Sequence, residues 1–540
     1  MGIRLYNTMT RRLEAFEPLK EGEVSIYCCG PTVYDLIGIH NARTFVSLDL
    51  ARRYLEYRGY RVSYVQNITD IDDKIIARAN ERGSDPLEWA QKYAQAYQDD
   101  MKALGVKPPS EQPRAMETLE EMIDMIAALE KMGAAYETSS GVYFSIASFE
   151  RYGCLSGRNL DELRTGARVN VDEEKRDPRD FALWKRAKPG EPEWDSPWGK
   201  GRPGWHIECS AMARKHLGNT VDIHAAGEDL IFPHHENEIA QSEKANGEPL
   251  ARYWMHGALM RIGGQRMGKS LGNFIPAREA LERYPVAALR LFYASTHYRK
   301  PLDFTEEAIE RQIAPMRRLN RCIDALEAAA EAAPSNGQTR SEAADAFHAA
   351  LRRAEAAFIE TVDDDFNFPG GLGVLFEFAR TANRFLAEGG ADEQGAKQIL
   401  DDAQRWMNAA AGELLGVRES GAKQTDETDA RLENALKAAL NWRAQAREQR
   451  DWTTADAIRG GLEESGVSVT DSKEGASWEL QEDAAANAAA ERAVELLAEL
   501  RAEARARKDW AAADAIRDAL SEAGVSLTDL PSGGAEWSWD

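Results

Sequence analysis

The chain has 540 residues, 43% of them hydrophobic and 29% charged, which at about 150 residues per domain implies three or four domains and excludes both a single small module and a disordered chain. Lys and Arg total 67 against 90 Asp and Glu, a net charge of −23; this opposes general attraction to phosphate backbones, so DNA is not expected as a partner and any RNA site must be a local basic strip. No apolar run approaches the roughly 20 residues that cross a bilayer, the opening MGIRLYNTMTRR lacks a signal-peptide core, and five cysteines, two adjacent at Cys28 and Cys29, form no disulfide framework. The expected setting is cytoplasmic, with no membrane contact.

In chain order, VSIYCC at 24–29 reads as a strand, a Gly-Pro turn follows, and Phe45, Leu48, Ala51 and Leu55 give Ala42 to Tyr57 a helical period. RVSYVQ from Arg61 to Gln66 is a second strand, and such a β-turn-α-β opening builds a parallel sheet whose ligands gather at the strands' carboxyl ends. Helices are expected around Leu87 to Leu104 and Thr118 to Met132, then an irregular insertion over 135–204 rich in Gly, Pro and charge. Alternating αβ texture returns from Trp205 to Ile262, with VDIHA as a strand and Glu236 to Asn246 as a helix. Beyond Pro301 come long Ala-, Leu-, Glu- and Arg-rich helices, expected to break at Pro334 and at Gly370 to Gly373. A linker at 417–428 precedes a tandem repeat: RAQAREQRDWTTADAIRGGLEESGVSVTD from Arg443 recurs from Arg501 as RAEARARKDWAAADAIRDALSEAGVSLTD, 58 positions on.

Two patterns carry chemistry. In FPHHENEIAQSE, His234 and Glu238 lie four apart and would share a helix face, Cys209 stands in GWHIECSAM, and Cys29 ends the first strand. Two thiolates, an imidazole and a carboxylate suit tetrahedral zinc. The bland alternative is a packed Cys209 beside a solvated helix face. Cys28 and Cys29 point to opposite faces of their strand, so only one reaches an ion, and His235 rivals His234. The second pattern joins the turn CGPTVYDLIGIHNARTF, which opens a helix whose N-terminus favours phosphate, to GGQRMGKSLGNF, which sets Arg266 and Lys269 in a glycine-rich loop suited to closing over phosphates.

YCCGPTVYD, NITDIDDKI, DFALWK, GRPGWHIECSAM, GEDLIFPHHENEIAQS, KSLGN, DDDFN and KDWAAADAIR, in this order along nearly the whole chain, resemble the cysteinyl-tRNA synthetases, a family of class I aminoacyl-tRNA synthetases. The resemblance implies a Rossmann-type α/β catalytic domain split by the insertion (1–134 and 205–300 around 135–204), a helical bundle at 301–416, and two anticodon-binding-like helical units at 417–480 and 481–540. It implies one zinc ion on Cys29, Cys209, His234 and Glu238 that also takes the substrate's thiolate, so that cysteine is separated from serine by sulfur's affinity for the metal. Thr32, Thr69, Trp205 and His224 match positions that line the amino-acid pocket. The implied reaction joins L-cysteine to tRNA(Cys) through cysteinyl-adenylate, with ATP and Mg²⁺ as substrate. His40, Asn41 and Lys269 are the implied catalytic residues, and Gly38, His40, Asn41, Arg266, Lys269 and Ser270 the ATP site.

Three departures cluster at the nucleotide. The family's HIGN reads GIHN here, so Gly38 and His40 stand in each other's places; KMSKS reads RMGKS; and HAAG at His224 to Gly227 carries Ala225 and Ala226 where the family has glycine. Added bulk at 40 and a lost donor at 38 predict weakened adenylation. Competing readings are therefore a catalytically weakened or inactive paralogue that retains zinc or tRNA binding, and a ligase that joins cysteine to a small amine; the bundle and tail argue against the latter. In the tail, Arg443, Arg447, Arg450 and Trp452, repeated as Arg501, Arg505, Arg507, Lys508 and Trp510, mix cations with an aromatic as contact with unpaired bases requires; Arg447, Trp452, Arg505 and Trp510 are the expected tRNA contacts. DIDD at 70–73 and DDDF at 363–366 are read as helix-start carboxylates.

Overall fold

The runs VSIYCC and RVSYVQ form strands Glu23–Cys28 and Arg61–Gln66, and the later αβ stretch supplies Val221–Gly227 and Ala251–Gly257. All pair in parallel in the spatial order Ala251–Gly257, Val221–Gly227, Glu23–Cys28, Arg61–Gln66. Both faces are covered, which is why these runs alternate little. Strand order reverses where Ile26, Tyr27 and Cys28 lie beside Ile223, His224 and Ala225, and a doubly wound sheet opens its ligand crevice at such a switch point. These are features of the computed structural model, which describes residues 2–158, 174–267, 272–334, 340–418, 427–472, 475–480, 486–529 and 535–539.

The first crossover is the helix Ile39–Tyr57, three residues longer at its start than the apolar period indicates. Gly38 is its N-cap, and the Gly38 N–H donates to Asn41 Oδ1 at 3.3 Å. Two arginines lock the crossover. Arg43 is buried and donates to the carbonyls of Ala258 and Leu259 at 2.9 and 3.1 Å. Arg290, also buried, pairs with Asp49 at 2.8 Å and donates to the carbonyls of Leu104 and Leu415. Between the two halves of the parallel sheet, Ala135–Glu137, Gly141–Phe144, Phe181–Arg186 and Gly201–Pro203 make an antiparallel sheet. Its Phe144, Leu183 and Trp184 share one apolar cluster with Cys29 and Cys209.

The bundle comprises Ile313–Ala332, Glu342–Val362, Phe368–Ala387 and Ala396–Met407. Its break does not fall at Gly370 to Gly373, as composition had indicated: Asn367 caps the helix by accepting from the Gly370 N–H, and the glycines lie in the first turns. A Cβ on Gly371 would stand 2.8 Å from Val362 Cγ2, so glycine there permits close helix packing. The DDDF reading is corrected likewise. Asp363 follows the end of Glu342–Val362 and accepts from Tyr54 Oη at 2.7 Å, and Asp365 accepts from the Tyr6 N–H and Tyr298 Oη, both at 2.8 Å. In DIDD, Asp72 does cap a helix, by accepting from the Lys74 N–H, whereas Asp70 accepts from the Met116 N–H.

Residues Met1–Glu419 and Ser420–Asp540 form separate units. In the second unit each sequence copy is two helices and a hairpin: Glu427–Glu448, Trp452–Glu464, Val467–Ser472 and Gly475–Leu480, then Ala486–Ala506, Trp510–Glu522, Val525–Asp529 and Ala535–Trp539. The hairpins extend the purely helical expectation. Leu436, Ala439 and Ile458 of one copy and Val494, Leu497 and Ile516 of the other belong to a single core.

Candidate active site and metal centre

Alternation along the first strand sends Cys28 and Cys29 to opposite sides. Cys28 packs in the cluster beneath Ile39–Tyr57, where Gln66 Nε2 lies 3.5 Å from its sulfur, and Cys29 enters the other cluster. The strand then passes so close to its neighbour that a Cβ on Gly30 would meet the Asn67 carbonyl oxygen at 1.6 Å. Trp205–Leu217 brings Cys209 to the same place, and a helical turn at Ile231–His235 followed by Glu236–Asn246 brings His234, His235 and Glu238.

The donor atoms of Cys29, Cys209, His234 and Glu238 lie within 4.8 Å of one another, and all four residues are buried. His234 Nε2 is 2.9 Å from Glu238 Oε1, and Cys29 Sγ is 3.4 Å from the same oxygen. An overlapping set, Cys29, His224, His235 and Glu238, meets the same criterion, with His235 Nε2 3.3 Å and His224 Nε2 3.6 Å from Cys29 Sγ. Both rivals for the imidazole ligand therefore reach the centre. Burial raises the Glu238 carboxyl, but the imidazoles of His224 and His234 outweigh it and hold the group well below the usual carboxylate range. Burial also opposes ionisation of Cys209, yet its hydrogen bond with Cys29 and the nearby His234 bring the thiol down to about 6. Two thiols that form no disulfide, an imidazole and an ionised carboxylate, all dry and convergent, fit a tetrahedral zinc ion.

Two further imidazoles were not singled out in the sequence. His206 Nδ1 is 2.9 Å from His234 Nδ1, and His256 Nε2 is 2.8 Å from His235 Nδ1, with Thr8 Oγ1 2.8 Å from its other nitrogen. Such contacts orient ligating rings. The signal for His206 was its position three residues before Cys209, on one helix face; His256 had no local signal.

A cavity of about 930 Å³ opens beside this centre, lined by Cys29, Thr32, His40, Asn41, Trp205 and Gly227 among others. Trp205 stacks on His234 with ring centroids 4.2 Å apart. Thr69 and His224 stand behind the wall: Thr69 Oγ1 donates to Glu208 Oε2 at 2.8 Å, and His224 stacks on Tyr27. At the other end the His40 ring meets Phe274 edge-on, and its Nδ1 is 3.0 Å from Met267 Sδ. A Cβ on Gly38 would lie 2.5 Å from that nitrogen, so the imidazole of residue 40 occupies the space a side chain at 38 would enter. Ala225 and Ala226 are fully buried in their strand. Arg266 ends the short strand Gln265–Arg266, and Lys269 and Ser270 lie outside the described residues. In the second unit Trp452 and Trp510 are 55% and 59% exposed. Arg447 and Arg505 are half-buried and Arg443 and Arg501 buried.

The fold has counterparts among solved structures. Methionyl-tRNA synthetase of Mycobacterium tuberculosis, in complex with methionyl-adenylate, superimposes with a TM-score of 0.54 at 14% identity, over 73% of this chain and 90% of that one. Residues 15–314 match the family described as the class I (C) tRNA synthetase catalytic domain, 357–419 the DALR domain, and 425–478 the cysteinyl-tRNA ligase anticodon binding domain. The protein is thus of the class I aminoacyl-tRNA synthetase type. A cysteine–tRNA ligase of Heliobacterium modesticaldum is 48% identical over 88% of this chain and 99% of its own, and one of Thermococcus onnurineus 45% identical over the same shares. This chain belongs to the cysteine–tRNA ligase family.

Proposed function

We propose that the protein activates L-cysteine with ATP and Mg²⁺ to cysteinyl-adenylate and transfers the aminoacyl group to tRNA(Cys). The observation that carries this reading is the buried Cys29, Cys209, His234 and Glu238 cluster opening on the cavity that also holds the start of Ile39–Tyr57. These four residues would hold zinc, which supplies a soft Lewis acid that prefers a thiolate to serine's hydroxyl. His206 orients the His234 ring, and Trp205, stacked on it, walls the amino-acid end, with Thr32 on the same wall and Thr69 and His224 supporting it from behind. His40 and Asn41 face the nucleotide end, where the helix N-terminus at Gly38 favours phosphate. The family resemblance assigns Arg266, Lys269 and Ser270 to the triphosphate, where their charge and hydrogen bonds stabilise departing pyrophosphate. Arg447, Trp452, Arg505 and Trp510 are assigned to tRNA, and the six-part domain division and the cytoplasmic setting stand with this reading. No described helix is long and apolar enough to cross a membrane.

Cysteine-dependent exchange of pyrophosphate into ATP, followed by charging of tRNA(Cys) in the same preparation, tests the proposal. Both are expected. Absence of exchange with metal-replete, folded protein would refute it.

A further inference from the structure

The anticodon-domain match ends at residue 478, and the second C-terminal copy lies beyond it. The copies agree at 18 of 29 positions, counted from Arg443 and Arg501. What they repeat most closely is a corner. Arg450 and Lys508 both take φ of 62°; Asp451 and Asp509 then cap the next helix by accepting from the Thr454 and Ala512 N–H groups; and Trp452 and Trp510 follow, exposed. The other tryptophans of this unit, Trp442, Trp478, Trp537 and Trp539, pack against its core.

Helices Glu427–Glu448 and Ala486–Ala506 pack against one another, and each runs into its corner. Asp451 is held below the usual carboxylate range first by its Thr454 hydrogen bonds and also by the nearby charge of Arg507. The two corners also present exposed Arg450, Arg507 and Lys508, in a chain whose net charge is −23. Two solvent-facing indoles flanked by cations are the elements of a sequence-tolerant stacking platform for unpaired bases.

We propose that the second copy adds a base-stacking site at Trp510, so that the unit holds one RNA by two unpaired bases, one on Trp452 and one on Trp510. The identity of the RNA, the anticodon loop of tRNA(Cys), rests on the function proposed above; the two-point contact rests on the repeated corner.

The test is equilibrium binding of a labelled tRNA(Cys) anticodon stem–loop to the full chain, followed across a salt series. Trp510→Ala is expected to weaken binding about fivefold or more, the lower end of base–aromatic stacking, and Trp510→Tyr to restore most of it. Replacing Arg507 and Lys508 by alanine is expected to flatten the log–log salt slope by roughly 0.7 per cation removed. Binding by Trp510→Ala and Trp510→Tyr within about twofold of the parent, with an unchanged salt slope in the cation variant, would overturn the proposal. So would conversion of a dimer to a monomer by Trp510→Ala with RNA affinity intact, which would make the corner a contact between copies of this chain. Stem–loop binding needs neither cysteine nor ATP, so failure of the ligase reading shows in pyrophosphate exchange and leaves this result standing.

Discussion

Replacing Gly38 by histidine would restore the family's order at the helix start, yet the local geometry opposes it. The new Cβ would lie 2.5 Å from His40 Nδ1 and 2.6 Å from Phe274 Cε2, both far inside contact distance. Overpacking of this kind costs about 1–3 kcal/mol, which corresponds to roughly 5- to 150-fold in rate when the strain falls on the competent shape. His40→Gly has a different fault: it strips the imidazole from the cavity wall and puts glycine in the first helical turn, at about 1 kcal/mol. In the double variant the clash with His40 disappears and the clash with Phe274 stays. The two changes should therefore be non-additive, with the double variant more active than Gly38→His alone but not above the parent. Cysteine-dependent pyrophosphate exchange at varied ATP, with a melting curve for each variant, measures this. A Gly38→His variant equal to the parent in both, or a double variant several-fold faster than the parent, would refute the argument that His40 already fills the space beside Gly38.

Other outcomes follow from the same contacts. His234→Ala should lose bound zinc while His235→Ala keeps it, because the family assignment gives the ligand role to the first; the reverse result in metal analysis would move the site to the overlapping set with His224. Arg290→Met leaves buried Asp49 with Arg53, 2.7 Å away, and the Lys107 N–H, at 2.9 Å, as partners; the expected destabilisation is about 3 kcal/mol, the low end for a broken buried pair, read as a fall in melting temperature, and an unchanged melting temperature would contradict it. Trp452→Ala should raise the KM for tRNA(Cys) about fivefold or more by loss of base stacking, and an unchanged KM would remove that residue from the RNA contact.

Strand periodicity made the parallel sheet and the Cys29 side of the metal cluster legible, because neighbouring side chains on a strand must diverge and the two cysteines do enter different cores. Pairing of His234 with Glu238 was readable from their four-residue spacing, although His234 stands in the turn before the helix and not within it. Choosing between His234 and His235 was not readable, since both rings reach the centre. Gly370 to Gly373 looked like a breaker because glycine is the poorest helix former after proline; close packing against Phe358 and Val362 overrides that preference. The acidic run at 363–366 looked like a cap, whereas its partners Tyr6, Tyr54 and Tyr298 are distant in sequence, and no local pattern encodes such contacts. The C-terminal hairpins were hidden because SVTD and SWEL are short and polar on one face, and most of each repeat is helical in pattern.

The most direct test of the account is the zinc content of purified protein. Elemental analysis should find one zinc per chain, lost together with the preference for cysteine over serine in pyrophosphate exchange when Cys209 is replaced by alanine. Protein free of metal that exchanges pyrophosphate with full cysteine selectivity would contradict it.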